Sequence, residues 1–304
     1  MDSTSSPAAA SDLGALARAD GTFAMLAIDQ RESLRTMLVA AGLGGSDADL
    51  TRFKVSVARS LSAVASGILV DRDYGLEALS ATDAVAPGCG LIVAVDRLIQ
   101  QPGGALEASE LDRAAMTEDL LRHGTRALKL LVVWRPDQPA EPRRTMVADF
   151  IDGCRRLGLV SVLEGLVQVP GVTSGAAFDD AILDAAREFA EFEPDLYKTH
   201  VPTHGAGSPD EITRRSAEVS DAIRRPWVVL SAGVPVDLFP AAVAAAGDGG
   251  ASGFLAGRGV WGPSIRASNP DDDLATAARR RLSELASIAA AHSRPWTAVA
   301  SESA

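Results

Sequence analysis

Eight short apolar runs set the rhythm of this chain, at 23–28, 67–70, 91–95, 127–134, 160–167, 196–201, 227–232 and 253–256. Each has the length of a strand and is bounded by Gly, Asp or Pro. Stretches with helical period lie between them, most clearly at 49–65, 142–157, 178–192, 208–224 and 235–247, and a last one covers 272–291. Strand and helix thus alternate eight times. One (β/α)8 TIM barrel accommodates that order better than other common architectures. The structural rival is an open doubly wound sheet. Gly103–Gly104 and Gly249–Gly250 do not follow strand runs at the spacing a dinucleotide fingerprint requires.

A length of 304 residues suits a single large domain with a sizeable core. The barrel is assigned to 21–292, with a loose tail over 1–20 and a polar tail over 293–304. Apolar residues make up 47% and charged residues 23%, which places the chain among globular rather than disordered sequences. The net charge of −11 and the lack of a Lys/Arg-rich run argue against a nucleic-acid partner. No stretch of eighteen apolar residues predicts a membrane span, and residues 1–11 lack the basic start and apolar run of a secretion signal. Cys89 and Cys154 read as reduced thiols of a cytoplasmic protein. The oligomeric state is left open, a homo-oligomer included.

In a parallel barrel the chemistry gathers at the C-terminal ends of the strands. There the runs offer Asp29-Gln30-Arg31, Asp71, Asp96, Lys129, Glu164, Lys198 with His200, Ser231-Ala232-Gly233, and Gly257-Arg258, in chain order. Lys129, Glu164 and Lys198 interrupt apolar segments, where a charge is costly unless paired. One reading makes Lys129 and Glu164 a buried structural ion pair. The other uses the same residues for chemistry, because a lysine attacks a carbonyl only as the neutral amine. A low-dielectric barrel and a second cation favour that form. Spacing alone does not say which lysine is the nucleophile.

Lys198 and His200 are two apart and are expected on one side of their strand. Ser231, Gly233, Gly257 and Arg258 follow the seventh and eighth strands, where many barrels bind phosphate. His200 and His204 are a weak metal-ligand pair, since no carboxylate cluster accompanies them and the chain has only four histidines. His123 and His292 sit in helix-like surroundings.

The strand-end motifs resemble the class I, Schiff-base aldolases that include sulfofructosephosphate aldolase and, more distantly, tagatose-1,6-bisphosphate aldolase. The matching pieces begin with Phe23-Ala24-Met25-Leu26-Ala27-Ile28-Asp29-Gln30-Arg31, Phe53-Lys54, Ile68-Leu69-Val70-Asp71 and Ala127-Leu128-Lys129-Leu130-Leu131. They continue with Asp195-Leu196-Tyr197-Lys198, Leu230-Ser231-Ala232-Gly233-Val234, and Gly253-Phe254-Leu255-Ala256-Gly257-Arg258 with Trp261.

The resemblance implies that Lys198 is the Schiff-base lysine, Lys129 the second active-site lysine, Glu164 the acid/base carboxylate and Asp29 the strand-one carboxylate. It implies further that Ser231, Gly233, Gly257 and Arg258 handle an anionic end of the substrate. Gln30, Arg31, Asp71 and His200 complete the expected substrate contacts. The implied reaction is reversible cleavage of a ketose phosphate, such as 6-deoxy-6-sulfofructose 1-phosphate or a related 1-phosphate or bisphosphate. Its products would be dihydroxyacetone phosphate and an aldehyde, formed without metal or organic cofactor.

Two positions depart from the family pattern. Lys198-Thr199-His200 replaces the family's Lys-Val-Glu, and Glu164-Gly165 replaces the Glu-Pro of the sulfofructosephosphate branch, with no arginine in the loop that follows. A metal-dependent barrel enzyme and a non-catalytic sugar-phosphate binder are the rival readings.

Overall fold

The apolar runs fold into strands that meet edge to edge and close. In the computed structural model, residues 12–100 and 106–302 are described. Gly103–Gly104 and residues 1–11 lie outside them. The strands are β1 Phe23–Ile28, β2 Gly67–Val70, β3 Gly90–Ala94, β4 Asp96–Gln100, β5 Leu106–Leu111, β6 Thr125–Trp134, β7 Val160–Val167, β8 Leu196–His200, β9 Trp227–Leu230 and β10 Gly253–Ala256. Eight of them form a closed parallel barrel in the order β1-β2-β3-β6-β7-β8-β9-β10 and back to β1. The single (β/α)8 barrel expected from the sequence is therefore the fold.

Alternation along each strand sorts side chains into two cores. Ala24, Leu26 and Ile28 of β1 face the helices, while Phe23, Met25 and Ala27 face the barrel interior. Both faces are covered, so all six residues are buried. The outer helices end where local chemistry tells them to. Ser46 and Asp49 form a capping box that starts the helix Asp47–Leu61, two residues earlier than its apolar pattern predicts. Gly158, at φ +64°, ends the helix Ala140–Leu157 in a left-handed cap.

At the seam between β10 and β1, Gly253 has φ +139°, and a Cβ there would meet the Phe23 carbonyl oxygen at 2.0 Å. Only glycine fits both the dihedral and the approach.

Three expectations need correction. The tail assigned to 1–20 contains Leu13–Leu16, a 3-10 turn capped by Asp12, and Leu13 and Leu16 close the base of the barrel within the inner apolar cluster. The tail assigned to 293–304 contains the helix Trp296–Glu302. There Trp296 packs on the same cluster and its N–H donates to the Gly21 carbonyl at 3.0 Å.

The third correction concerns the unit after β3, which lacks a full helix. The antiparallel hairpin β4–β5 leaves the barrel there, followed by a 3-10 turn and the four-residue helix Asp119–Arg122. The Gln168 side chain donates to the Leu106 carbonyl at 2.8 Å and ties the hairpin to the loop after β7. Cys89 and Cys154 are free thiols, and no helix among the described residues is long and apolar enough to cross a membrane.

Candidate active site

Period-two alternation continues upward from the inner core. Ala27, Ala94, Ala127, Val162 and Leu196 belong to the apolar interior. Two residues further along stand Asp29, Asp96, Lys129, Glu164 and Lys198, so an apolar level is capped by a charged one. Glu164 and Lys198 are register partners on β7 and β8.

Lys129 Nζ has carboxylate oxygens of Asp29, Asp96 and Glu164 each at 2.9 Å. Lys198 Nζ donates to the same Glu164 Oε2 at 2.9 Å. Burial opposes the charge on Lys129, but the three carboxylates outweigh it and hold its pKa well above the usual lysine value. Burial would likewise raise Glu164, yet Lys129 and Lys198 draw it below the usual carboxylate value. The same competition leaves Asp29 lowered, with Lys129 its strongest partner. Asp96 was read from sequence only as a strand end. It belongs to this cluster and also accepts the Leu131 N–H at 3.1 Å.

A small cavity of about 200 Å³ opens above this level. Asp29, Gln30, Arg31, Glu164, Lys198, Ser231, Gly257 and Arg258 are among the residues that line it. Lys129 lies beneath, almost wholly buried, and reaches the cavity only through its ion pairs with Glu164 and Asp29. Ser231 Oγ accepts the Gly259 N–H at 3.3 Å and joins the loops after β9 and β10. Gly257 is required because a Cβ would meet the Ala27 carbonyl oxygen at 2.4 Å. Arg258 is exposed and makes no ion pair or side-chain hydrogen bond among the described residues.

Three expected substrate contacts fall elsewhere. Asp71 is fully buried in an ion pair with Lys54 at 2.5 Å. Lys54 in turn donates to the carbonyls of Ile28 and Gln30 and so pins the loop that carries Asp29, Gln30 and Arg31. Gly233, at φ +82°, packs against the His204 ring, which a Cβ would meet at 2.7 Å.

His200 shares the parity of Lys198 but ends its strand. Its ring is buried edge-on to Phe178 and His204, and its Nε2 accepts the Val167 N–H at 3.1 Å. Burial, with the nearby His204, lowers its pKa to about 3, so the ring is neutral across the physiological range. Gly165 faces outward, where a Cβ would meet the Tyr197 hydroxyl at 2.4 Å. That departure from the family pattern accommodates Tyr197 rather than reshaping the cavity.

A closed barrel, a cavity at its C-terminal mouth and a buried amine held on a carboxylate are the arrangement of a (β/α)8 enzyme whose chemistry sits at the strand ends. Sequence comparison makes the class specific: residues 23–262 match the DeoC/LacD family aldolase, and the chain belongs to that family. It is an aldolase, a lyase. The tagatose 1,6-diphosphate aldolase of Listeria monocytogenes (serotype 4a, strain HCC23) is 29% identical over 92% of this chain and 91% of its own. Tagatose 1,6-diphosphate aldolase 2 of Enterococcus faecalis (strain ATCC 700802 / V583) is 28% identical over 93% and 94%. Among solved structures, fructose-bisphosphate aldolase from Plasmodium falciparum superposes with a TM-score of 0.68 at 13% identity. The match covers 92% of this chain and 93% of that one, a likeness of fold.

Proposed function

We propose that this chain is a Schiff-base aldolase that cleaves a ketose 1-phosphate to dihydroxyacetone phosphate and an aldehyde, with Lys198 as the nucleophile. The observation that carries the reading is the contrast in hydrogen bonding between the two lysines. An ammonium has three N–H donors. Lys129 faces three carboxylates, whereas Lys198 faces one and also lines the cavity. Lys198 is therefore the amine with a nearby proton acceptor and an open side.

In this mechanism Lys198 gives a proton to Glu164, and its nitrogen attacks the substrate C2 carbonyl. Glu164 returns that proton to the departing hydroxyl, and loss of water yields the iminium and restores the carboxylate. Glu164, again as a base, removes the C4 hydroxyl proton. The C3–C4 bond breaks with its electron pair moving to the iminium, which leaves an enamine on Lys198 and releases the aldehyde. Protonation at C3 and addition of water then free dihydroxyacetone phosphate and the amine. Lys129 stays cationic and stabilises negative charge developing near Asp29 and Glu164. Arg258, with the loop of Ser231 and Gly257, receives the C1 phosphate. No metal or organic cofactor takes part in these steps.

Borohydride treatment with dihydroxyacetone phosphate tests the proposal. Mass spectrometry is expected to find one three-carbon adduct on Lys198. An adduct on Lys129, or no adduct with turnover intact, overturns it.

A further inference from the structure

The cavity has two unlike walls. On the β9–β10 side Ser231, Gly257 and Arg258 stand among Leu230, Ala232 and Leu255, with the arginine free of any carboxylate among the described residues. On the opposite side, beyond Lys198 on β8, come β7 and β6 with the overhanging hairpin, and the wall there is Leu166, Leu131, Leu98 and Leu106. A ketose whose C2 carbon meets Lys198 and whose phosphate meets Arg258 must turn its aldehyde half toward these leucines.

The arginines at this end that follow β1, β2, β3 and β6, on the hairpin side of the mouth, are held by carboxylates. Arg31 pairs with Asp73 at 3.3 Å and Asp96 at 3.5 Å. Arg35 pairs with Asp47 at 2.9 Å, Arg72 with Asp112 at 2.9 Å, and Arg97 reaches the same Asp112 at 3.9 Å. Arg135 pairs with Asp137 at 2.9 Å and Arg143 with Glu188 at 2.7 Å. Residues 101–105 lie outside the described residues, and their sequence, Gln-Pro-Gly-Gly-Ala, carries no charge. The two carboxylates nearest the leucine wall, Glu164 and Asp96, would repel a second anion. Burying a phosphate or sulfonate against apolar side chains without a cation is strongly unfavourable.

We infer that the aldehyde half of the substrate is uncharged, so that the ketose carries its only anionic group at C1. This inference rests on the Schiff-base reading above. It sets the chain apart from the relatives named for a 1,6-diphosphate, and it argues against a sulfonate at the far end. The recognised acceptor is a short aldehyde with an apolar or singly hydroxylated tail.

The test runs the reaction toward synthesis, with dihydroxyacetone phosphate as common donor. Acceptors are acetaldehyde, propionaldehyde and glyceraldehyde on one side, and glyceraldehyde 3-phosphate and sulfolactaldehyde on the other. The best uncharged acceptor is expected to exceed both charged ones in kcat/KM by at least about tenfold. Leu166→Arg, which places a cation in the apolar wall, is expected to shift that ratio toward the charged acceptors by about tenfold or more.

Borohydride trapping on Lys198 is run with the same preparation. With trapping intact, a ratio below about threefold, a preference for either charged acceptor, or no turnover of any uncharged acceptor overturns the inference alone. Without trapping, the Schiff-base reading falls and takes the inference with it.

Discussion

Lys129 and Lys198 stand on β6 and β8, at one height in the barrel, and touch the same oxygen of Glu164 between them. Their remaining surroundings differ. Lys129 has Asp29 and Asp96 as well, and almost no exposure. Lys198 has no further carboxylate within ion-pair distance among the described residues and forms part of the cavity floor. One charge is saturated and fixed, and the other is held by a single bond next to open space. Burial alone does not distinguish a structural lysine from a reactive one, since both are buried. The number of donors already committed does.

The contrast can be broken most sharply at the reactive partner. Lys198→Ala is expected to lower turnover by about 10⁴-fold or more and to remove the borohydride adduct. Steady-state rates and intact-mass measurements read both effects. An adduct that survives the substitution would reverse the roles of the two lysines.

Lys129→Met removes the counter-charge of three buried carboxylates. The expected cost is about 3–5 kcal/mol of stability, together with a fall in turnover on the order of 10²–10³. Denaturant titration and kinetics on the same protein separate the two. A stable, fully active variant would show that the cluster does not depend on this cation.

Arg258→Ala loses a charge-assisted hydrogen bond to phosphate worth about 1.5–3 kcal/mol. We expect kcat/KM to fall roughly ten- to hundred-fold, with the Lys198 adduct still formed at high dihydroxyacetone phosphate. Unchanged kinetics would remove Arg258 from the site.

The smallest effect on catalysis concerns His200, which is buried and neutral with its pKa near 3 rather than 6.5. Between those values the unfolded chain binds a proton that the folded chain does not, so stability falls as pH drops from about 6.5 toward 3. The slope from this one group is up to about 1.4 kcal/mol per pH unit. His200→Gln, which keeps an acceptor for the Val167 N–H, is expected to flatten that decline and leave the trapping profile between pH 5 and 8 unchanged. An unaltered stability slope would show that the ring titrates normally.

The barrel was legible because a strand covered on both faces is an uninterrupted apolar run, and eight such runs recur here. The charged level was legible for the same reason, since Lys129, Glu164 and Lys198 break runs that are otherwise apolar. The hairpin was not. Residues 96–100 and 106–111 are short and mixed in polarity, and their pairing depends on contact across a turn rather than on either strand alone. Leu13 and Leu16 escaped notice because two leucines in a turn have no period to announce them.

The His200 expectation followed the correct parity but assumed a continuing strand. The chain turns at Pro202, and Thr203, His204 and Gly205 adopt φ of 59°, 48° and 70°. The ring is thereby placed with Phe178 and His204 instead of over the cavity. The Lys129 charge also needed the fold to be read properly, because nothing in the sequence spacing reveals that Asp29 and Asp96 converge on it from two other strands.

The seam at Gly253 bears on how the barrel assembles. Every other pairing in the barrel joins strands that are consecutive around it and separated by one intervening unit of chain, but Phe23 and Gly253 are partners across more than two hundred residues. Closing so long a loop carries a large entropic cost and gains its contacts only when both flanking strands are already placed. The β1–β10 pairing is therefore a late event in folding, and the residue at its entrance has no side chain to obstruct it. A bulkier residue at 253 would act chiefly on that final closure, leaving an open, partly formed sheet with two unpaired edges.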